Sequence, residues 1–216
     1  MNQQPIRSQQ PTHGGCVLYR ETPSQTAGPY VHIGLALDVA GIPLRDEEIW
    51  SRLATPEADG ELIEVVGTVI DGNGDLVRDA FLEAWQADAH GEFQPDYDLA
   101  KPFNSFGRTA TTAEAGSEWS FTTVKPGRVP GANGQPMAPH INLAIFARGI
   151  NVHLQTRLYF DDEGEANAVC PVLGAIESPA RRQTLIARRE EGDNGTPRYR
   201  LDIRLQGDGE TVFFEF

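Results

Sequence analysis

The stretch His140-Ile141-Asn142-Leu143-Ala144-Ile145-Phe146 alternates as a β-strand does. Ile141, Leu143 and Ile145 fall on one face and His140, Asn142 and Ala144 on the other, because successive side chains of a strand point to opposite sides. Val152 to Phe160 alternates more clearly. It places Val152, Leu154, Leu158 and Phe160 toward a core, and His153, Gln155, Arg157 and Tyr159 away from it. Upstream, Leu62 to Ile70 is apolar and β-branched, and Asp71-Gly72-Asn73-Gly74 is a strong turn signal before a second strand over Leu76 to Trp85. Arg108 to Thr112, Glu118 to Val124, Tyr199 to Leu205 and Thr211 to Phe216 read as further strands. Helical signal is confined to Arg45–Leu53, Glu165–Ala168 and Gln183–Arg188. Many short strands punctuated by Gly and Pro predict a mainly β chain, a β-sandwich with few short helices. The closing Val212-Phe213-Phe214-Glu215-Phe216 carries aromatics on both faces, so this chain's core or a partner should cover it.

Composition narrows the function classes. The chain has 216 residues, 39% hydrophobic and 23% charged, as in an ordinary globular protein. Its net charge of −13, from 31 acidic and 18 basic side chains, argues against nucleic acid and against an anionic membrane surface. An acidic ligand would need a dedicated cation. Cys16 and Cys170 are far apart in sequence and are expected as free thiols of a cytoplasmic protein. No apolar run approaches the ~20 residues of a membrane span, and the polar Met1-Asn2-Gln3-Gln4-Pro5 lacks the apolar core of a signal. Residues 1–20 read as a flexible arm ahead of one domain over 21–216.

Several chemistries lack their residues. None of His13, His32, His90, His140 and His153 forms a metal-binding pair at short spacing. Asp71, Asn73 and Asp75 mimic the start of a calcium loop, but Leu76 stands where the loop needs Gly and Leu82 where it needs Glu. There is no G-x-S-x-G, no cysteine with a nearby histidine, and no G-x-G-x-x-G opening a helix.

Two places could bind. Arg148 follows the apolar Phe146-Ala147 and precedes Gly149, where strands hand over to loops. Its planar guanidinium can grip a carboxylate with two parallel bonds, or simply close a surface ion pair. Thr26-Ala27-Gly28-Pro29-Tyr30 combines a residue that lets backbone approach closely, one that fixes direction, and a ring with a hydroxyl; an ordinary Gly-Pro turn is the plainer account. His140 reads as a hydrogen-bonded histidine on a strand face. Arg157 and Tyr159 share a polar face that reads as solvated or interfacial.

Seven segments together resemble the intradiol aromatic-ring dioxygenases, from about Glu21 to Phe216. They are Glu21–Tyr30, Trp85–Phe93, Asn104–Thr112, Val124–Pro130, Met137–Asn142, Phe146–Asn151 and Arg157–Asp162. The resemblance implies paired alpha and beta chains of similar fold. The beta chain holds non-haem Fe(III) through two tyrosinates and two histidines, and O2 opens a small catechol-type ring between its hydroxyl-bearing carbons. The matching positions here read Phe93, Val129, His140 and Asn142. One ligand in four cannot hold iron, so the resemblance implies a chain with no metal of its own. It further implies that Arg148 contacts the substrate carboxylate in the partner's pocket, and that Thr26, Gly28, Pro29 and Tyr30 line its mouth. A non-catalytic β-sandwich scaffold and a self-contained metalloenzyme are the competing expectations.

Overall fold

The structure is a computed structural model that describes residues 23–37, 40–43, 49–111, 116–192 and 195–215, and the backbone of 12–13 and 16–17. The expected arm over 1–20 lies outside these, apart from β1 (Thr12–His13) paired antiparallel with β2 (Cys16–Val17). A five-residue helix follows, α1 (Val31–Leu35). The body of the fold then begins with β3 (Leu62–Ile70), β4 (Phe81–Trp85), β5 (Phe106–Ala110), β6 (Glu118–Val124), β7 (His140–Phe146) and β8 (Leu154–Phe160). Three short helices come next, α2 (Gly164–Ala168), α3 (Pro171–Ala175) and α4 (Pro179–Gln183). The last strands are β9 (Ile186–Glu191), β10 (Pro197–Arg200) and β11 (Ile203–Arg204).

One layer holds β6, β3, β10 and β11; the other holds β5, β4, β7 and β8. β9 joins them, parallel to β8 and antiparallel to β10, and β5 approaches β6, so the sandwich is a nearly closed barrel-like sheet. Ile63, Val65 and Val69 of β3 meet Leu82 and Ala84 of β4 and Ile141, Leu143 and Ile145 of β7, with Trp119, Phe121, Phe160 and Tyr199 filling the remaining space. This face-to-face burial of alternate residues drives the fold. Lys125 reinforces one seam. It lies 2.9 Å from both Asp162 and Glu163, and Tyr199 donates its hydroxyl to Asp162 at 2.8 Å. Burial opposes charge on Lys125, but these hydrogen bonds outweigh it and raise its pKa.

The mainly β expectation holds, and β3, β6 and β7 have the expected bounds. Other elements differ. The second strand of the expected hairpin breaks after Val77: Leu76 bridges Ile70, then the chain crosses to the other layer and resumes at Phe81. Of the expected helix over Arg45–Leu53, residues 45–48 lie outside the described set, and 49–53 are not helical, because Arg52 bridges Thr122 and the Leu53 N–H donates to the Thr122 carbonyl. Gln183–Arg188 is not a helix either: α4 ends at Gln183, and Ile186 and Ala187 pair with Tyr159 and Phe160 in β9. The strand expected over Tyr199–Leu205 splits, because the Asp202 carboxylate accepts hydrogen bonds from the Thr68 N–H and hydroxyl. Val152 is 53% exposed and has φ +64°, so it lies outside the core. Tyr159 is fully buried in a second cluster with Cys170, Leu173 and Leu185, not on a solvated face. Of the strand expected over Thr211–Phe216, the described residues 211–215 form a single bridge, Phe214 to Gln155, and Phe213 and Phe214 pack against the two clusters, so this chain's own cores partly cover those two rings.

Gly67 marks the tightest approach in the sandwich, since a Cβ there would run into the Leu201 carbonyl and the Trp119 ring. Gly67→Ala should therefore lower stability by about 1–3 kcal/mol, the usual range for overpacking. A lower urea midpoint with an unchanged slope would show it, and an unchanged midpoint would refute the close packing.

Candidate functional site

Two groups of residues stand at opposite ends of β7. The first surrounds its start. His140 is 5% exposed, and its Nδ1–H donates to the Ala138 carbonyl at 2.8 Å, which leaves the lone pair on Nε2. Burial pushes its pKa down to about 4, and the nearby Arg157 charge adds to this. Asn142, two residues along, donates its amide to the Trp85 carbonyl at 3.2 Å. Phe93 stacks on Trp85 with ring centroids 5.6 Å apart and planes 5° from parallel. Val129 is buried, and its carbonyl accepts from the Met137 N–H at 2.8 Å. The strand ladder and the Trp85 stack therefore gather Phe93, Val129, His140 and Asn142 at one end of the sandwich. The donors there do not suit a ferric ion: one imidazole nitrogen and a neutral amide already in use, with a phenyl ring and an isopropyl group that cannot ligate. Among the described residues no group of three or more His, Cys, Asp or Glu side chains could hold a metal ion.

The second group lies beyond the other end. Arg148 and Gly149 form a turn just after β7. The hydroxyl of Thr26 donates to the Ala147 carbonyl at 3.0 Å and accepts from the Gly149 N–H at 3.1 Å, while Thr26 bridges Asn151. One side chain thus clamps the 26–30 segment to the turn that carries Arg148, joining two candidates more than a hundred residues apart. Gly28 has φ +80°, a conformation that favours glycine, and Pro29 directs the chain into α1 at Tyr30. The Tyr30 ring is 75% exposed, with Ile33 and Leu35 also exposed beside it.

Arg148 makes the ion pair that the plainer expectation allowed, with its Nε 2.9 Å from Asp79. Its side chain is still 66% exposed, so the group can reach outward. Asp79 is the residue that sequence reasoning missed. It is 6% exposed, and neither carboxylate oxygen has a hydrogen-bond partner among the described residues, the Arg148 contact being close but not aligned as a hydrogen bond. A buried carboxylate with one charged neighbour holds that neighbour firmly. No spacing in the sequence marks it. Arg157, expected on a solvated or interfacial face, is half-buried: its Nη1 is 3.5 Å from the Tyr159 hydroxyl and its guanidinium lies over the Phe214 ring. Cys170 is a free, buried thiol, and Cys16 lies outside the described side chains. No described helix is long and apolar enough to cross a membrane.

A family model described as Dioxygenase matches residues 39–207. The chain is 68% identical to the protocatechuate 3,4-dioxygenase alpha chain of Pseudomonas putida, over 92% of this chain and 98% of that one. It is 33% identical to the protocatechuate 3,4-dioxygenase beta chain of Burkholderia cepacia, over 78% of this chain and 74% of that one. In fold it is similar to the dioxygenase domain of a dioxygenase–carbohydrate-binding protein fusion from Streptomyces sp. SirexAA-E, with a TM-score of 0.53 at 23% identity, covering 89% of this chain and all of that one.

The low pKa of His140 has a testable sign. A folded-state value of about 4 lies below the unfolded histidine's ~6.5, so the unfolded chain binds the extra proton first. Stability is then lost as pH falls from about 6.5 toward 4, by about 3 kcal/mol at the acid end of that window. Urea melts from pH 7 to pH 4 should show a shallower acid loss in His140→Gln than in the parent. Equal slopes would mean that His140 does not titrate this way.

Proposed function

The chain belongs to the dioxygenase family, and from that premise we propose that it works as the alpha subunit of a protocatechuate 3,4-dioxygenase. The enzyme is a hetero-oligomer of this chain with a beta chain, and it performs O2-dependent intradiol cleavage of 3,4-dihydroxybenzoate to 3-carboxy-cis,cis-muconate. Identity of 68% to a chain named as an enzyme subunit supports this reading over a non-catalytic scaffold. The family depends on iron, and in this reading the Fe(III) belongs to the beta chain. Two free thiols, as read from the sequence, fit the proposed cytoplasmic setting.

One observation carries the division of labour. β7 runs from His140 to Phe146, roughly 20 Å at the usual rise per residue, and Arg148 lies in the turn beyond its far end. This separation supports a reading in which Arg148 serves no ligand at this chain's own Phe93, Val129, His140 and Asn142, and its exposed guanidinium acts on a group outside the chain. In the proposed arrangement Arg148 pairs with the substrate carboxylate inside the partner's pocket. Asp79 anchors the arginine from behind, and Thr26 fixes the turn beneath it. Gly28 and Pro29 bring the backbone close, and Tyr30 supplies a wall that excludes water. These residues bind and orient the ring, while the bond-breaking chemistry belongs to the partner. The chain's net charge of −13 repels an anionic substrate, so the single cation has to supply the local attraction.

Arg148→Ala in the assembled enzyme should weaken binding of 3,4-dihydroxybenzoate far more than of catechol, which has no carboxylate. Loss of a charge-assisted contact worth about 2 kcal/mol is roughly 30-fold. Steady-state kinetics with both substrates decide it, and equal losses would rule out the carboxylate role.

A further inference from the structure

A cleft of about 280 Å³ opens where β9, β10 and β11 diverge, and Arg148 is not among its lining residues. Three arginines line it, Arg188, Arg200 and Arg204, against one acid, Asp202, with Gln183 and Thr184 on its rim. Composition does not predict this, since acidic residues outnumber basic ones 31 to 18. Arg188 and Arg200 stand directly opposite each other in the β9–β10 ladder, an arrangement that disfavours folding unless the charge is offset. Arg200 is offset: Glu118 lies 2.6 Å from it, Glu190 3.5 Å and Asp202 3.7 Å. Arg188 and Arg204 have no carboxylate within 4 Å among the described residues. The backbone under Arg204 is fixed, because its N–H donates to the Thr211 hydroxyl at 2.9 Å and its carbonyl accepts from the Thr211 N–H at 2.9 Å.

The geometry points to a small-oxyanion site in this cleft, with a compact dianion held between Arg188 and Arg204. Guanidinium groups bind oxyanions through paired, charge-assisted hydrogen bonds, and the Gln183 amide can donate a further one. The cavity falls at or below the ~300 Å³ lower end of ordinary ligand pockets, so the ligand is of the size of inorganic phosphate or a short dicarboxylate, not a nucleotide. Asp202, occupied by Arg200, narrows the ligand to groups that do not approach that wall. The long-range field of the chain opposes anions, so binding depends on the two local charges and weakens with added salt.

Isothermal calorimetry on the assembled two-chain enzyme tests the site, with phosphate and succinate titrated separately at low ionic strength. Saturable binding is expected at one anion per copy of this chain, with Kd on the order of 1 mM. The double variant R188A/R204A should lose about tenfold or more, and R188K/R204K should retain part of the binding. Ring cleavage and thermal midpoint should stay at parent values in both, since neither arginine belongs to the Arg148 site. Saturation by phosphate alone, by succinate alone or by both supports the site and identifies the oxyanion it prefers. Absence of saturable binding to either, or equal binding by R188A/R204A, overturns it.

Discussion

β7 is hydrogen-bonded on both sides over most of its length, to β4 from Asn142 to Phe146 and to β8 from His140 to Ile145, and this double pairing fixes what both ends of the strand can do. A strand held on two sides cannot slip by one residue without turning Ile141, Leu143 and Ile145 out of the core. Its register therefore sets His140 and Asn142 at one rim and delivers Arg148 at the other. The separation of these rims divides the molecule into an end without a ligand set for iron and an end with an exposed cation. Cutting the pairing on either side would disturb both at once.

The changes at the first rim remove donors while keeping the packing. Phe93 supplies the flat face that Trp85 stacks on without needing a phenol oxygen. Asn142 keeps a hydrogen bond to the neighbouring strand. His140 stays neutral, buried and bonded to Ala138. A rim so furnished supports a sandwich but not a ferric ion. The second rim has the opposite character: an exposed arginine backed by a buried carboxylate, a hydroxyl that locks the turn, and an exposed tyrosine. In the proposed reading those features let this surface complete the partner's pocket.

Much of this was legible in the residues, for physical reasons. Alternation against a one-sided core defines β7 to the residue, because burial of one face leaves a period of two, and the apolar, β-branched run defines β3. The Thr26–Tyr30 and Arg148 candidates could be named separately. Their union could not, since it rests on one threonine hydroxyl reaching across two segments distant in sequence. Gln183, Leu185, Ala187 and Arg188 favour a helix, but from Ile186 onward local preference gives way to parallel pairing with β8. Tyr159 lies on the face away from the main core, yet α3 and its neighbours cover that face, and single-strand alternation cannot foresee a second cluster. Asp79 was invisible for the same reason: nothing nearby in sequence says that a carboxylate will be buried behind an arginine.

The proposed function rests on this chain holding no iron and serving a partner chain that does. Metal analysis of this chain purified alone and of the complex co-purified with its beta chain tests it most directly. The account predicts ferric iron in the complex at about one ion per alpha–beta pair, and none retained by this chain alone. Stoichiometric iron on the isolated chain, with a visible tyrosinate absorption band, would contradict it.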